Sequence, residues 1–271
     1  MKKIMIVSFL VLVLFTLTAC QEERTQITIN FDTAQGESID PINISSDTDY
    51  ELPNAYKEDH IFVGWYLTKK GPDIVLENQT FDSDNVTLYA RYIEVDTLPY
   101  ASYLNENNPT IEIHVRDYGT MTLELFPSVA PNTVNNFVHH IQNNYYEGAP
   151  FHRVIEDFMI QGGNNGEVTC KISGEFSSNG FDNPLVHDRG VISTARTTDP
   201  NSASTQFFIM HKKTTALDGN YASFGGLIAN FSVLDAIAKA PKNGETPSPS
   251  IIIESITIDT KGIDYPDPIC E

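Results

Sequence analysis

The chain has 271 residues, with 17 basic against 36 acidic side chains, a formal net charge of −19, three cysteines and one tryptophan. That length can bury a sizeable core and house one or two domains, and the acidic balance speaks against a nucleic-acid partner, which would need a basic stripe. Cysteines at 20, 170 and 270 are too few for a disulfide-rich scaffold or a four-ligand zinc site, and no phosphate-cradling GxxxxGK[ST] loop is present.

Met1-Lys2-Lys3 gives a basic start, and Ile4 to Leu17 follow without a charge. The run is too short to span a bilayer, which takes about 20 apolar residues, but it suits the core of a signal peptide. It ends in Leu17-Thr18-Ala19-Cys20, which resembles the bacterial lipobox. The resemblance implies that residues 1–19 are a lipoprotein signal peptide and that Cys20 is lipidated. Residues 20–25 would then tether the protein to the extracytoplasmic face of a bacterial cell membrane. Two acyl chains hold stably where one does not, and so acidic a body would be repelled by anionic headgroups. An ordinary secretory peptide with an incidental cysteine is the alternative.

From Ile27 to Tyr92 the text reads as short strands: Ile27-Thr-Ile-Asn-Phe31 and Val86-Thr-Leu-Tyr-Ala90 alternate apolar and polar side chains. Phe31-Asp32-Thr33, Leu52-Pro53, Lys57-Glu58, Phe62-Val63-Gly64-Trp65-Tyr66 and Leu88-Tyr89-Ala90-Arg91-Tyr92 resemble the internalin B-type (Listeria–Bacteroides) repeat of bacterial surface proteins. The resemblance implies a small β-grasp-like domain over 26–93. Where that family has an Asn-Gly-Gly turn, this chain has Ala34-Gln35-Gly36. Trp65 and Tyr66 could face a surface partner of residues 26–93, although an aromatic pair in so small a domain belongs more often to its core. Residues 94–108 lose periodicity, gain Asn and Asp, and read as a linker.

In the second body, Thr110–Arg116 and Thr120–Leu125 alternate around Asp117-Tyr118-Gly119, a hairpin pattern. Pro131 opens a helix with Val134, Phe137, Val138 and Ile141 on one face. A second helix is expected from Ser232, with Ser232 and Asp235 as a capping-box-like pair. Many turns between short strands, with two scattered helices, predict a mainly β protein with a closed barrel capped by the helices.

Phe151-His-Arg-Val-Ile-Glu-Asp-Phe-Met-Ile-Gln-Gly-Gly163 looks like the central signature of the cyclophilins, the cyclosporin-type peptidyl-prolyl isomerases. His187–Ala195, Ser204–Ile209, Leu217-Asp218-Gly219 and Phe224-Gly225 match further blocks of that family. The resemblance implies an eight-stranded antiparallel barrel with two helices over 109–262, followed by a C-terminal tail, 263–271. It also implies an enzyme acting on proline-containing polypeptides without cofactor or metal. Carried over residue by residue, Arg153, Gln161 and Phe158 form the catalytic set. Met159, Phe208 and Leu217 wall a proline socket with Phe158, Tyr221 stands at its edge, and Ala195 and Arg196 line the groove before the proline. Gln161 would orient Arg153, which a lysine should not replace.

Read without the family, the apolar members of this set are ordinary core. His152 and His187 go to the scaffold, and His139-His140, adjacent on a helix, make a poor metal pair. Ala216 stands where many cyclophilins carry the Trp that contacts cyclosporin, which predicts weak drug binding. Arg196 in place of a common Asn suggests a preference for an acidic residue upstream of proline. Cys170 and Cys270 could pair, but separation in sequence does not settle it, and two free thiols are the expectation. The charge favours a monomeric body. A docking module, with turnover incidental, is the competing reading, and the repeat could serve either as a spacer.

Overall fold

The computed structural model describes residues 26–45, 49–166 and 170–271. The expected signal peptide, the tether and Cys20 lie outside the described residues.

Strands β1 (Gln26–Asp32), β2 (Ile42–Ser45), β3 (His60–Tyr66), β4 (Ile74–Val75) and β5 (Asn85–Glu94) form one sheet in the order β2-β1-β5-β3-β4. All neighbours are antiparallel except β1 and β5. The period-2 pattern puts Ile27, Ile29, Leu88 and Ala90 into a small core with Phe62 and Trp65. Trp65 is buried, donates its indole N–H to the Pro53 carbonyl at 2.7 Å, and packs on Phe31 and Phe62. Tyr66 is buried too, with the Arg91 guanidinium 3.6 Å above its ring. A partner of residues 26–93 would therefore meet other side chains than these two. Ala34 and Gln35 both take left-handed backbone conformations (φ 47° and 72°), and the turn closes through Gly36 N–H to the Thr33 carbonyl.

The stretch expected as a linker is instead packed. Residues 95–108 carry two single turns of 3-10 helix, and Leu98 and Tyr100 are buried in the core of the second body. The Tyr100 hydroxyl donates to the Leu227 carbonyl at 2.7 Å, and its ring lies where side chains at Gly190 and Gly226 would stand. Downstream, Asn105 N–H and the Asn108 amide both donate to Glu124 at 2.7 Å. Isolated turns have no apolar period, so the strap carries no pattern that a sequence reading could follow.

The second body contains β6 (Thr110–Val115), β7 (Gly119–Leu125), α1 (Pro131–Gln142), β8 (Arg153–Ile155), β9 (Met159–Gly162), β10 (Val191–Thr194), β11 (Phe207–Met210) and β12 (Ser223–Ala229). It continues with α2 (Phe231–Lys239), the short pair β13 (Lys242–Asn243) and β14 (Thr246–Pro247), and β15 (Ile253–Asp259). Eight strands make one curled antiparallel sheet, β15-β6-β7-β12-β10-β11-β9-β8. Its ends meet at one short bridge, where Phe151 N–H bonds the Ile251 carbonyl and Ile253 N–H bonds that of Ala149. Helix α1 has Pro131 at its first position and buries Val134, Phe137, Val138 and Ile141, as its sequence predicts.

Helix α2 begins one residue before the expected start, with Asn230 as N-cap in the left-handed conformation. Ser232 and Asp235 are not a capping pair. Ser232 is buried against Gly64 of β3, where a side chain on Gly64 would collide with it. Asp235 accepts from Arg189 at 2.6 Å and lies 3.2 Å from His211 Nε2. Tertiary partners have outcompeted the local cap. The repeat docks here: Ile61, Val63 and Tyr66 share the barrel's apolar core, and Asn230 N–H donates to the Phe62 carbonyl at 2.8 Å.

The tail after β15 returns along the barrel. The Ile269 backbone exchanges two hydrogen bonds with the Asn132 side chain, and Asp267 meets His139 at 2.8 Å. Cys270 is disulfide-bonded to Cys170, with Cα atoms 5.3 Å apart. The expectation of two free thiols is thus overturned; a separation of 100 residues conceals a contact that only the folded-back tail creates.

Candidate active site

Nine side chains converge on one cavity of about 120 Å³: Arg153, Phe158, Met159, Gln161, Ala195, Arg196, Phe208, Leu217 and Tyr221. These are the nine expected from sequence, brought together from β8, β9 and β11 and from the loops that follow β8, β10 and β11. The register explains the centre. Gln161 on β9 pairs with Arg153 on β8 and with Phe208 on β11, and directly paired residues point to the same face. The alternate residues Ile160 and Phe207 point the other way, into the barrel core.

Met159 and Phe208 are buried and form the floor. Phe158, Leu217 and Tyr221 are partly buried around them. Tyr221 stands edge-on to Phe208, ring centroids 5.8 Å apart. Beneath Phe208 lies His187, stacked at 6.0 Å. Its Nδ1 lies 3.0 Å from Asp218 and its Nε2 2.9 Å from the Ser193 hydroxyl. Burial holds the His187 imidazole below its ordinary pKa against the opposing pull of Asp218. A neutral ring fits both contacts, donating from Nδ1 and accepting at Nε2.

Arg196 lines the groove with a guanidinium already spent on neighbouring backbone. Its Nε and Nη2 donate to the Asn220 carbonyl and its Nη1 to that of Thr197, with the guanidinium 4.6 Å from the Tyr221 ring centre. The side chain braces the socket edge. Gln161 does not bond Arg153; its amide donates to Gln206 at 3.0 Å. Arg153 is held instead by Glu245, whose Oε2 accepts from Nε at 2.6 Å. Sequence reading missed Glu245, Gln206, Asp218 and Ser193 as supports of the site. Their one available signal was position inside or beside the matching blocks, which Glu245 lacks altogether.

A second cavity, about 270 Å³, adjoins the first and shares Gln161, Ala195 and Arg196 with it. Together they form a groove with an apolar socket beside a guanidinium, fit to receive an extended peptide segment.

Residues 110–258 match the model of the cyclophilin type peptidyl-prolyl cis-trans isomerase family, and residues 28–91 match that of the Listeria-Bacteroides repeat domain. The chain is 37% identical over 164 residues to a peptidyl-prolyl cis-trans isomerase of Streptomyces antibioticus, covering 55% of this chain and 98% of that protein. It is 38% identical over 145 residues to a peptidyl-prolyl cis-trans isomerase-like 2 of Gibberella zeae, covering 52% of this chain but only 25% of that larger protein. A crystal structure of a cyclophilin-type isomerase from Cryptosporidium parvum superimposes with a TM-score of 0.52 at 30% identity, covering 56% of this chain and 98% of that one. The same isomerase determined in the presence of the dipeptide Ala-Pro gives 0.51 at 32% identity, covering 55% and 98%. The curled eight-stranded sheet with two helices and the family match define a cyclophilin. The chain belongs to the cyclophilin-type peptidyl-prolyl cis-trans isomerases, and it carries a Listeria–Bacteroides repeat on the same polypeptide.

Proposed function

We propose that the protein turns X–Pro bonds of extracytoplasmic polypeptides, assisting their folding after secretion, with Arg153 as the catalytic donor. The observation that carries this reading is that Arg153 lines the cavity floored by Met159 and Phe208.

An amide faces a rotational barrier of about 18–20 kcal/mol, and X–Pro bonds turn over in tens to hundreds of seconds unaided. Reaching the millisecond range takes about 6 kcal/mol off that barrier. No bond is made or broken. As the amide twists it loses resonance, its nitrogen becomes pyramidal and the lone pair is freed. A group that favours this twisted form over the planar one accelerates the reaction. In the proposed mechanism Phe158, Met159, Phe208 and Leu217 hold the proline ring. Arg153 donates toward the prolyl carbonyl oxygen and the imide nitrogen. Gln161 bonds the substrate backbone, and Ala195 and Arg196 border the residues before proline. A guanidinium suits the task because it stays charged and offers several donors in a rigid fork.

Lipidation of Cys20 would hold this body on the outer face of a bacterial cell membrane as a monomer, where emerging chains need slow prolyl isomerisation relieved. Supporting this are the uncharged run Ile4–Leu17 and the Leu17-Thr18-Ala19-Cys20 sequence. Globomycin-sensitive processing that disappears in Cys20→Ala is the expected result, and an unlipidated mature protein would remove the anchor. For catalysis, NMR exchange on an Ala-Pro peptide should show strong acceleration by residues 21–271. Arg153→Ala should lose about 10²–10³-fold, the usual cost of a donor aimed at the transition state. Tight peptide binding without accelerated exchange would make the groove a docking site.

A further inference from the structure

Arg153 carries a long, exposed side chain, and among the described residues its guanidinium has one hydrogen-bonded partner, Glu245. The two lie 92 residues apart in sequence. We propose that Glu245 is a positioning residue for isomerisation, holding Arg153 by its Nε so that both Nη groups face the imide. The proposal rests on Arg153 being the donor.

Three features show that the carboxylate is delivered and not merely nearby. Glu245 is the second residue of the two-residue loop joining β13 and β14, with left-handed Gly244 (φ 63°) as the first, a tight hairpin geometry that fixes where its side chain leaves the chain. The Glu245 carbonyl accepts from Val154 N–H at 2.7 Å, so the loop is pinned to β8 immediately beside Arg153. On the other strand of the hairpin, Lys242 Nζ donates to the Ala238 carbonyl at 2.8 Å, tying the hairpin to the end of α2. Backbone and side chain of one residue thus grip two consecutive residues of β8.

The choice of nitrogen matters. Nε is the donor nearest the stem, so a partner there fixes the plane of the guanidinium while Nη1 and Nη2 stay free. An arginine otherwise has many rotamers to lose before it can serve the transition state. The pair is too exposed to contribute much to folding, its side chains being 39% and 54% accessible. Its effect should therefore appear in turnover, where misplacing a catalytic group is costly.

The test uses residues 21–271, with NMR line-shape analysis on an Ala-Pro peptide separating affinity from on-enzyme exchange. Glu245→Ala should slow on-enzyme exchange about fivefold to tenfold, with peptide affinity changed less than about twofold and the melting temperature held. Glu245→Gln keeps an acceptor for Nε and should recover at least half of the loss. In an Arg153→Ala background, Glu245→Ala should have no further effect. Wild-type exchange in Glu245→Ala, beside an inactive Arg153→Ala, would overturn the role of Glu245 alone. Faster exchange in Glu245→Ala would mean that the carboxylate competes with substrate, which also overturns it. So would a Glu245→Gln variant as slow as Glu245→Ala and equally destabilised. A fully active Arg153→Ala would instead remove the donor assignment on which the proposal stands.

Discussion

The imidazole of His187 lies stacked on the ring of Phe208, 19° from parallel, with its two nitrogens spent on Asp218 and Ser193. The socket floor is thus propped from below by a neutral, hydrogen-bonded ring. Asp218 also accepts from His187 N–H at 2.7 Å, so one carboxylate fixes both backbone and ring.

Removing that carboxylate should release Phe208. Asp218→Ala leaves a buried imidazole N–H without its acceptor, at a cost of about 1–3 kcal/mol. We expect kcat/KM for an Ala-Pro peptide to fall about tenfold, with the loss larger than in Asp218→Asn, which keeps an acceptor oxygen. Parallel denaturation and NMR exchange measurements check both halves.

The disulfide gives a redox-dependent stability. Linking Cys170 to Cys270 closes a loop with a sequence separation of 100, for which chain entropy predicts about 4–5 kcal/mol as an upper figure, and measured values commonly fall to about 2. Thermal melts with and without reductant should differ, and Cys270→Ser should behave like the reduced protein in both. An unchanged melt under reductant would show that the tail's hydrogen bonds suffice without the bond.

Acid should act through His140. Burial, and secondarily the neighbouring His139, push its pKa down to about 4. Its Nε2 is buried without a hydrogen-bond partner among the described residues, and its ring packs 5.2 Å from that of Tyr145. A base with a depressed folded pKa binds fewer protons folded than unfolded, so its contribution is intact above about pH 6.5 and is lost as pH falls toward about 4. Urea titrations at about pH 7 and pH 4.5 should show a smaller drop in His140→Phe than in the parent.

The turn at Ala34-Gln35 invites a stabilising change. Both residues sit in the left-handed region, where an L side chain costs about 1–2 kcal/mol and Asn or Gly far less. The double substitution Ala34→Asn, Gln35→Gly should stabilise the repeat by about 1 kcal/mol. Denaturation followed through Trp65 fluorescence reads the effect.

What was legible in the sequence had short range or strong pattern. The Phe151–Gly163 block put Arg153, Phe158, Met159 and Gln161 on one hairpin, and the later blocks supplied Ala195, Phe208 and Leu217. What escaped depends on chain returning from far away. Tyr100 reads as one aromatic in a polar stretch until Gly190 and Gly226 make room for it. Asp235 reads as a capping partner until Arg189 and His211 arrive. Glu245 reads as one acid among 36, because nothing local marks the loop that carries it to β8.

The position of Cys270 separates the bond from the barrel. It follows β15 in the chain, so a protein truncated before it would keep every strand and every groove residue and lack only the cross-link. Cys170 would then be left as a lone sulfhydryl, open to the wrong partner. The bond is a clasp on the tail: it joins the last turn of the chain to a loop of the barrel and leaves the order of the strands to the packing between them.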